Sequence, residues 1–355
     1  MKRTDRAGPV RTGEELEVEP LEAYLTRRIP GLQGPLAIHQ FPSGFSNLTY
    51  LLRFGNRDLV LRRPPAGTKA ETAHDMQREY KVLKALKPYF DFCPEPLFYT
   101  DERTLIGSPF YVMERIRGII LRKNLPEDLH LPPRDCRRLC HRFVEIFTTL
   151  HQIDYAAAGL QNLGKPQGYA ERQVRGWSRR YRNARTADAP GFEGVMDWLA
   201  THMPPDPSRP AIIHNDFRFD NVVLDENDPL KIIGVLDWEM ATIGDPLMDL
   251  GNSLAYWIQA DDPEEFQLLR LMPTHLAGML TRRELVESYA RMSERATEDF
   301  AFYSCFGLFR LAVIAQQIYY RYFHGQTQDE RFKMLIFGVH VLEKAARRVI
   351  AEGFF

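Results

Sequence analysis

The segment His214-Asn215-Asp216-Phe217-Arg218-Phe219-Asp220-Asn221 decides the fold of this chain. It has the spacing His-x-Asp-x4-Asn and lies between two short runs of β-favouring residues. Another aspartate, Asp237, follows Asn221 by sixteen residues at the end of an apolar strand. An Asp- and Asn-rich stretch between strands is usually only a turn, and a lone His-x-Asp pair would favour that interpretation. The five defined positions of the full pattern instead predict a functional site.

The residue types in this pattern suit the transfer of a phosphoryl group to a hydroxyl. Such a transfer needs an acceptor for the hydroxyl proton, oxygen ligands for magnesium, and a cation beside the transferring group. Asp216 would accept the proton, Asn221 and Asp237 would bind magnesium, and Arg218 would supply the cation. The spacing is that of a kinase catalytic loop followed by its metal-binding aspartate. The pattern therefore predicts an enzyme that uses ATP and magnesium.

Length and charge narrow the class of protein. The 355 residues exceed the length at which one hydrophobic core stops growing, so two lobes are expected. A net charge of −1 removes the electrostatic argument for a partner that is a nucleic acid or a membrane surface. The most apolar stretch, 301–315, is interrupted by Arg310 and is shorter than the ~20 residues of a membrane span. With four scattered cysteines and no apolar leader after the basic start, we expect a cytoplasmic protein of unassigned oligomeric state.

The order of predicted elements indicates an α+β protein. Residues 1–13 are polar and predicted to be flexible, 14–115 to form a small, β-rich, nucleotide-binding lobe, and 116–355 to form a large, mostly helical lobe. The second lobe would carry the catalytic loop, the metal site and the substrate-binding helices. Predicted elements of the first lobe are a helix over 14–28, strands over 36–41, 48–54 and 59–63, a helix over 73–86, and strands over 97–100 and 110–113. The first three strands predict an antiparallel meander.

Over nearly its whole length, from about residue 20, the chain resembles the aminoglycoside phosphotransferase family of kinase-like small-molecule phosphotransferases. The motifs that carry this resemblance are Ser43-Gly44-Phe45-Ser46-Asn47-Leu48-Thr49-Tyr50, Val60-Leu61-Arg62-Arg63-Pro64-Pro65, His214 to Asn221, Leu236-Asp237-Trp238-Glu239 and Gly244-Asp245-Pro246-Leu247-Met248-Asp249-Leu250. The chain is most similar to the branch fused to acyl-CoA dehydrogenases in animals, with its stand-alone bacterial relatives. Members of that branch phosphorylate the hydroxyl of 4-hydroxyacyl-CoA thioesters. The resemblance implies a bilobal, protein-kinase-like fold and a hydroxyacyl-CoA as the first candidate acceptor.

The resemblance also implies a role for each matched residue. Asp216 would be the catalytic base, Asn221 and Asp237 the magnesium ligands, and Arg218 the charge partner of the γ-phosphoryl group. The residues implied to bind ATP are Gly44, Ser46, Asn47, Arg62, Glu79, Met113, Glu114 and Arg115, the last three through the backbone beside the adenine. The residues implied to support the site are His214, Glu239, Asp245 and Asp249.

Two positions depart from the general kinase pattern. The third strand carries Arg62 where a lysine is usual, with Arg63 beside it, and the sequence does not decide which arginine replaces the lysine. Arginine keeps the charge and can bind phosphate through two N–H groups, but it is bulkier than lysine. Glu79 is the expected partner of Arg62, although a surface position for this glutamate is an equal alternative. Phe45 stands where relatives often have a second glycine, so modest ATP affinity is expected.

The stretch 165–188 holds the strongest local charge, with seven basic and two acidic residues and so a balance of 7 − 2 = +5. Four arginines repeat there at spacings of 3, 4 and 3, which places them on one helix face: Arg172, Arg175, Arg179 and Arg182. This arginine stripe predicts a binding site for the phosphates of CoA. A solvated basic face is the alternative, and the sequence does not show whether the stripe faces the site.

Other features keep rival functions open. The stretch 261–299 has nine acidic and five basic residues, which would suit an amine-bearing acceptor such as an aminoglycoside, choline or homoserine. A non-catalytic ATP-binding module is conceivable because the strand lysine is absent. A metal-dependent phosphoesterase is a weaker alternative because its second metal site lacks obvious ligands. Cys136 and Cys140 share a helical stripe with apolar residues and are predicted to be core cysteines, and His151 is predicted to cap or pack its helix.

Overall fold

The computed structural model describes residues 6–42, 47–65, 75–297 and 299–354. Its helices there are α1 (Val18–Arg28), α2 (Met76–Leu86), α3 (Arg103–Ile106), α4 (Pro133–Gln152), α5 (Tyr169–Ala184), α6 (Glu193–Thr201), α7 (Pro246–Leu254), α8 (Glu264–Gln267), α9 (Arg282–Ser293), α10 (Ala301–Phe323) and α11 (Leu335–Glu352). Its strands are β1 (Ala37–Gln40), β2 (Leu48–Arg53), β3 (Asp58–Arg63), β4 (Pro96–Thr100), β5 (Phe110–Glu114), β6 (Ile119–Ile120), β7 (Ala211–Ile213), β8 (Val222–Leu224), β9 (Ile232–Val235) and β10 (Thr242–Gly244).

The chain divides into two compact units. The first unit comprises Met1–Ile120, Ala157–Leu160 and Val222–Ala241. The second unit comprises Leu121–Ala156, Gln161–Asn221 and Thr242–Phe355. The first unit therefore includes a segment from beyond residue 200, which carries β8, β9 and Asp237. The two predicted lobes, in contrast, were each one continuous stretch of the chain.

A five-stranded antiparallel sheet in the order β1-β2-β3-β5-β4 forms the frame of the first unit. β2 and β3 pair from Leu48 opposite Arg63 to Arg53 opposite Asp58, which closes a hairpin between the two strands. The predicted antiparallel meander of β1, β2 and β3 is confirmed. α2 begins at Met76 after the N-cap Asp75, whose side chain accepts a hydrogen bond from the Arg78 N–H at 2.9 Å. The predicted helix start near Ala73 lies outside the described residues.

The core of this unit lies between the sheet and α1. Leu21 and Leu25 of α1 are fully buried against sheet residues such as Tyr50 and Leu59. The segment predicted to be flexible, residues 1–13, reaches this sheet in its described part, because Gly8 exchanges two backbone hydrogen bonds with Gln40, at 2.8 and 2.9 Å. A second sheet of three strands, in the order β6-β8-β9, completes the unit.

The second unit is mainly helical, with one short sheet of β7 and β10. α4 buries the predicted stripe of Cys136, Leu139, Cys140, Phe143, Phe147 and Leu150. Both cysteines are buried free thiols, so their prediction as core residues is confirmed. α7 and α10 cross at two glycines, because a Cβ added to Gly307 would lie 2.1 Å from the Gly251 carbonyl oxygen. This close approach sets the position of α7, which carries Asp249.

α10 corrects one expectation from the sequence. It extends over 23 residues, from Ala301 to Phe323, so the prediction that this apolar stretch is too short for a membrane span was wrong. By length and composition the helix could cross a membrane. However, 72% of its most apolar window is buried inside the protein, which is the pattern of a core helix.

Candidate active site

The catalytic loop, residues 214–221, lies between β7 and β8 and is held by one buried carboxylate. Asp249 of α7 accepts hydrogen bonds from the backbone N–H groups of His214, at 2.6 Å, and Asn215, at 2.7 Å. Asn215 has a φ of 65°, in the left-handed region that non-glycine residues seldom adopt. The Asp216 N–H donates to Nδ1 of His214 at 3.2 Å. These contacts are those expected of His214 and Asp249 as supporting residues.

His151 lies behind this carboxylate and does more than cap its helix. Its Nε2 lies 3.2 Å from Oδ2 of Asp249, and its Nδ1 lies 2.6 Å from the Tyr289 hydroxyl. Burial lowers the pKa of His151 against the opposing effect of Asp249, so the neutral imidazole is favoured. Because a carboxylate only accepts, we assign the proton to Nε2, and Tyr289 then donates to Nδ1. The sequence carried no signal for this chain of hydrogen bonds, because its three residues, Tyr289, His151 and Asp249, lie on three separate helices.

Asp216 is held by two side chains from its own loop. Arg218 contacts both carboxylate oxygens, Nε to Oδ1 at 2.9 Å and Nη2 to Oδ2 at 3.1 Å. Nδ2 of Asn221 donates to Oδ2 and to the backbone oxygen of Asp216, both at 2.9 Å. The amide group of Asn221 thereby directs its NH₂ toward Asp216, which leaves its Oδ1 as the atom suited to a magnesium ion.

The charge of Arg218 is stabilised by its surroundings. Burial opposes the charged form, but the combined effects of Asp216, Tyr256 and Asp220 outweigh burial and raise the pKa of Arg218 above its usual range. Asp220 lies 3.4 Å from Nε of Arg218, and burial raises the pKa of this aspartate. The guanidinium also lies over the ring of Tyr256, with its Cζ 4.3 Å from the centroid. Asp220 belongs to the quoted motif, whereas nothing in the sequence pointed to Tyr256.

The first unit gathers a second cluster around Arg62. Its guanidinium forms an ion pair with Glu79, donates to Oδ1 of Asp237 at 2.9 Å, and lies 3.4 Å from Oε2 of Glu239. Arg62 and Glu79 are buried, at 7% and 2% exposed. Burial would lower the pKa of Arg62, but Glu79 and Asp237 outweigh it and raise that pKa. Arg63 instead donates to the Ile106 carbonyl at 2.9 Å, so Arg62 stands in the place of the usual lysine.

Other predicted residues of the first unit surround this cluster. Asn47 is buried and donates to Oε2 of Glu239, which links the start of β2 to the segment after Asp237. Asp237 itself has a φ of 67°, again in the left-handed region. Arg78, which the sequence did not single out, donates to the backbone oxygens of Glu239 and Ala241. The predicted phosphate-loop residues Gly44 and Ser46 lie outside the described residues.

The segment predicted to meet adenine lies at the end of β5. Met113 pairs with Val60 in the sheet, and the Glu114 N–H already donates to the Glu95 carbonyl at 2.9 Å. The side chains of Glu114 and Arg115 form ion pairs with Arg57 and Asp58, the latter at 2.7 Å. Adenine recognition by this segment would therefore use its remaining backbone groups.

Asp245 caps α7 and thereby supports Asp249. Its side chain accepts a hydrogen bond from the Leu247 N–H at 2.9 Å, which satisfies a free donor of the first helical turn. Burial raises the pKa of Asp245 to about 6, although backbone hydrogen bonds oppose this effect. Its position agrees with the predicted structural role, since it touches the helix and not the loop.

The chemistry of the predicted magnesium ligands fits the ion. Magnesium usually takes one or two carboxylates, and waters and phosphate oxygens complete its octahedron. Asp237 offers a carboxylate oxygen and Asn221 an amide oxygen, and both are oxygen donors of the type that magnesium binds. Among the described residues there is no group of three or more His, Cys, Asp or Glu side chains that could hold a metal by themselves. The donor type of each residue is therefore compatible with the magnesium role that the resemblance implies for it.

The arginine stripe forms a solvent-exposed face of α5, as its spacing predicts. Most of its members are engaged in local contacts. Arg172 donates to the backbone oxygens of Lys165 and Gln167, Arg175 pairs with Glu171 at 3.2 Å, and Arg182 pairs with Glu193 at 2.6 Å. For Arg179 the structure shows no ion pair within the described ranges. Three of the four arginines therefore fit the alternative given above, in which the stripe is a solvent-exposed basic face of the helix.

The acidic stretch 261–299 is partly neutralised by ion pairs. Asp262 pairs with Arg282 at 2.6 Å, Glu284 with Arg137 at 2.8 Å, and Glu265 with Lys344 at 3.3 Å. The Asp262–Arg282 pair is buried, whereas the other two pairs are exposed. Neutralised carboxylates bind amines poorly, which weakens the argument for an amine-bearing acceptor at this stretch.

Comparison with known proteins identifies the family. The model of the Phosphotransferase enzyme family (APH) matches residues 37–285. Acyl-CoA dehydrogenase family member 11 of Gallus gallus is 34% identical over an alignment that covers 90% of this chain and 42% of that protein. Acyl-CoA dehydrogenase family member 10 of Mus musculus is also 34% identical, over 90% of this chain and 30% of that protein. The chain thus spans less than half the length of these relatives.

Solved structures show the same fold. The crystal structure of a candidate aminoglycoside phosphotransferase from Ralstonia eutropha superposes with a TM-score of 0.77 at 28% identity and covers 94% of this chain and 99% of its own. Choline kinase from Cryptosporidium parvum gives a TM-score of 0.63 at 12% identity, over 95% and 97% of the two chains. The GDP complex of aminoglycoside 2'-phosphotransferase-IIIa gives 0.61 at 16% identity, over 95% and 100%. The predicted kinase-like fold is confirmed, and the chain belongs to the Phosphotransferase enzyme family (APH).

Proposed function

We propose that this protein transfers the γ-phosphoryl group of ATP to the hydroxyl group of a hydroxyacyl-CoA thioester. The observation that carries this proposal is the arrangement of Asp216, whose carboxylate is fixed by Arg218 and Asn221. A carboxylate positioned in this way can accept a proton from an alcohol, and the adjacent guanidinium can neutralise charge on a phosphoryl group. A cytoplasmic location is part of the proposal and is supported by the four free thiols.

The chain's own residues divide the reaction between them. Asp216 would accept the proton as the substrate oxygen attacks the γ-phosphorus, and the bond from that phosphorus to the bridging oxygen would break, which releases ADP with the electron pair. Arg218 would hold the transferring group, and Arg62 would hold the phosphates while Glu79 fixes its direction. Magnesium, held by the oxygens of Asn221 and Asp237, would neutralise charge on the phosphate oxygens.

Two findings support an acyl-CoA as the acceptor. The relatives at 34% identity are named for acyl-CoA dehydrogenases, so the matched part of each occurs in a protein named for CoA thioesters. The acidic stretch that would favour an amine is partly paired with arginine and lysine. ATP as the donor is supported by the kinase-like spacing of the catalytic loop and by the buried Arg62–Glu79 ion pair.

The test is ADP release with ATP and magnesium across a panel of acceptors. The panel contains 4-hydroxyacyl-CoA thioesters, the matching free hydroxy acids, choline, homoserine and an aminoglycoside. We expect turnover with the acyl-CoA thioesters, and we expect Asp216→Asn to lower kcat by about 10²–10⁴-fold because the variant cannot accept the proton. The matched control is Asp228→Asn, which changes an exposed aspartate in the hairpin after the loop.

Each other result has a defined meaning. An unchanged kcat in Asp216→Asn would contradict the assigned base, and loss of activity in Asp228→Asn as well would indicate a general folding defect. Turnover with an amine-bearing acceptor alone would replace the acyl-CoA by that class. Binding of ATP without ADP release for any acceptor would favour a non-catalytic ATP-binding module.

A further inference from the structure

Two arginines of the second unit face the same indole ring. Cζ of Arg180, on α5, lies 4.4 Å from the ring centroid of Trp177, and Cζ of Arg310, on α10, lies 5.3 Å from it. Arg310 and Trp177 are buried, whereas Arg180 is exposed. The Trp177 indole N–H donates to Oε1 of Gln173 at 3.2 Å, which helps to fix the ring. The pair of guanidinium groups therefore extends from solvent into the helical core.

The two cations are close enough to influence each other. Burial lowers the pKa of Arg180, and the positive charges of Arg179 and Arg310 lower it further. The indole ring offsets part of this repulsion because its face attracts cations. An anion bound by both guanidinium groups would offset more of it, since it would interact favourably with each.

Arg310 also lies near the catalytic loop. Burial raises the pKa values of Tyr256 and Tyr169, and in both cases Arg310 is among the groups that oppose this effect. Tyr256 is the ring that stacks on Arg218, and the Tyr169 hydroxyl donates to Oδ1 of Asn215 at 3.3 Å. The cationic pair is thus electrostatically connected to the residues that flank Asp216.

We propose that Arg180, Arg310 and Trp177 form a binding site for an anionic group of the acceptor substrate. The group would be a phosphate or a carboxylate, because guanidinium N–H groups match the oxygens of either. The proposal rests on the phosphotransferase function above and moves the anion site from the arginine stripe to the Trp177 side of α5. Acceptors with several positive charges would be repelled by Arg180, Arg310 and Arg218, so the site also gives the enzyme its specificity.

The test compares two nearby arginines in the full-length protein. Arg180→Gln removes one proposed contact, and Arg185→Gln, at an exposed arginine that ends the same helix and lies outside the arginine stripe, is the matched control. We expect Arg180→Gln to raise KM for the anionic acceptor by about tenfold or more, as for the loss of a charged hydrogen bond. KM for ATP should not change, and Arg185→Gln should shift either KM by less than about twofold. Arg310→Lys, which keeps a buried charge but loses the planar fork, should raise the same KM with an unchanged melting temperature.

Two substrate arms identify the anion. An increase in KM for the acyl-CoA but not for the matching free hydroxy acid would assign the site to a CoA phosphate, and an increase for the free hydroxy acid alone would assign it to the carboxylate of that acid. An equal increase in Arg185→Gln and Arg180→Gln would overturn the site. So would an increase in KM for ATP of the same size.

Direct binding separates this proposal from the proposed function. CoA and, separately, the free hydroxy acid are titrated by calorimetry into wild type, Arg180→Gln and Arg185→Gln, each saturated with a non-hydrolysable ATP analogue so that the nucleotide site is occupied. Binding of either ligand that is weakened only in Arg180→Gln would support the site even if no acceptor yields ADP. Equal binding of both ligands by the two variants, or no binding of either ligand by wild type, would overturn it.

Discussion

Arg62 shows why arginine is suited to a position where kinases usually have lysine. Its planar group reaches Glu79 through one nitrogen, and Asp237 and Glu239 through another, in a buried setting. A lysine ammonium is a single point charge and could not span these three carboxylates in the same way. The arginine therefore links α2 to the segment that carries the predicted metal ligand Asp237.

This geometry predicts the outcome of Arg62→Lys. The lysine would contact fewer carboxylates than the arginine does, so at least one of the three would lose its cation. We therefore expect kcat/KM for ATP to fall by about tenfold to a hundredfold. Steady-state kinetics with the best acceptor measures this effect. The control is Arg63→Lys, which changes an arginine that donates to the Ile106 carbonyl and should alter kcat/KM for ATP by less than about threefold. Equal losses in both variants would contradict the assignment of Arg62.

The predictability of the site depends on distance along the chain. Asp216, Arg218 and Asn221 lie within one short motif, so their spacing alone indicated a common function. The Arg62–Glu79 contact could only be proposed through the resemblance. His151 and Tyr256 are separated from the loop by many residues and have no fixed spacing to it, so only tertiary packing brings them there.

At the scale of elements, α7 and α10 are the helices whose contact positions the loop. α7 carries Asp249, which accepts the loop N–H groups, and α10 carries Arg310 of the proposed anion site. Gly251 and Gly307 allow their backbones to approach closely. A side chain at this crossing would move both helices apart, because the atom in its way belongs to the backbone.

Gly307→Ala tests this crossing. Alanine normally stabilises a helix relative to glycine, by about 1 kcal/mol. Here its Cβ would lie 2.1 Å from the Gly251 carbonyl oxygen, so we expect the free energy of unfolding to fall by about 1–3 kcal/mol. The matched control is Gly176→Ala in α5, where no atom lies within 4 Å of the new Cβ, and a small gain in stability is expected. Chemical denaturation measures both, and a gain in Gly307→Ala would contradict the tight crossing.

The elements themselves were largely predictable, because strand alternation and turn residues are local signals. The β2–β3 hairpin follows from two β-favouring runs on either side of residues 55–58. The full length of α10 was missed because the prediction stopped at the apolar residues, whereas the helix continues through Tyr319 to Phe323. The Gly251–Gly307 contact has no local signal, since a helical glycine is equally compatible with a surface position.

At the scale of the whole molecule, the chain interleaves its two compact units. Residues 222–241 belong with the first unit although most of the chain between 121 and 355 belongs with the second. A cut at residue 115 or 120 would therefore remove Asp237 from its partner Arg62, and the cut at 120 would also separate β6 from β8 and β9. The sequence did not reveal this because lobe boundaries were inferred from the order of elements and not from their pairing.

Overall stability should depend on pH through Asp245. Its folded-state pKa of about 6 lies above the ordinary value of about 4, so the folded state binds this proton more tightly than the unfolded state. The stability that this bound proton adds to the folded state is complete below pH about 4 and is lost as the pH rises through about 6. Asp245→Asn keeps an N-cap acceptor but removes the titration.

We therefore expect the stability of Asp245→Asn relative to wild type to rise between pH about 4 and 6.5, by on the order of 1–3 kcal/mol. Denaturant unfolding of both proteins across this range measures the difference, in which the contributions of other titrating groups largely cancel. A difference that does not vary with pH would contradict the raised pKa of Asp245.

The burial of α10 has a consequence for handling the protein. When the second unit unfolds, an apolar segment of 23 residues is exposed to solvent, and unfolded molecules can aggregate through it before they refold. Loss of material on warming would then be irreversible, and shelf life would be set by an inactivation rate, through both the temperature and the time spent at it.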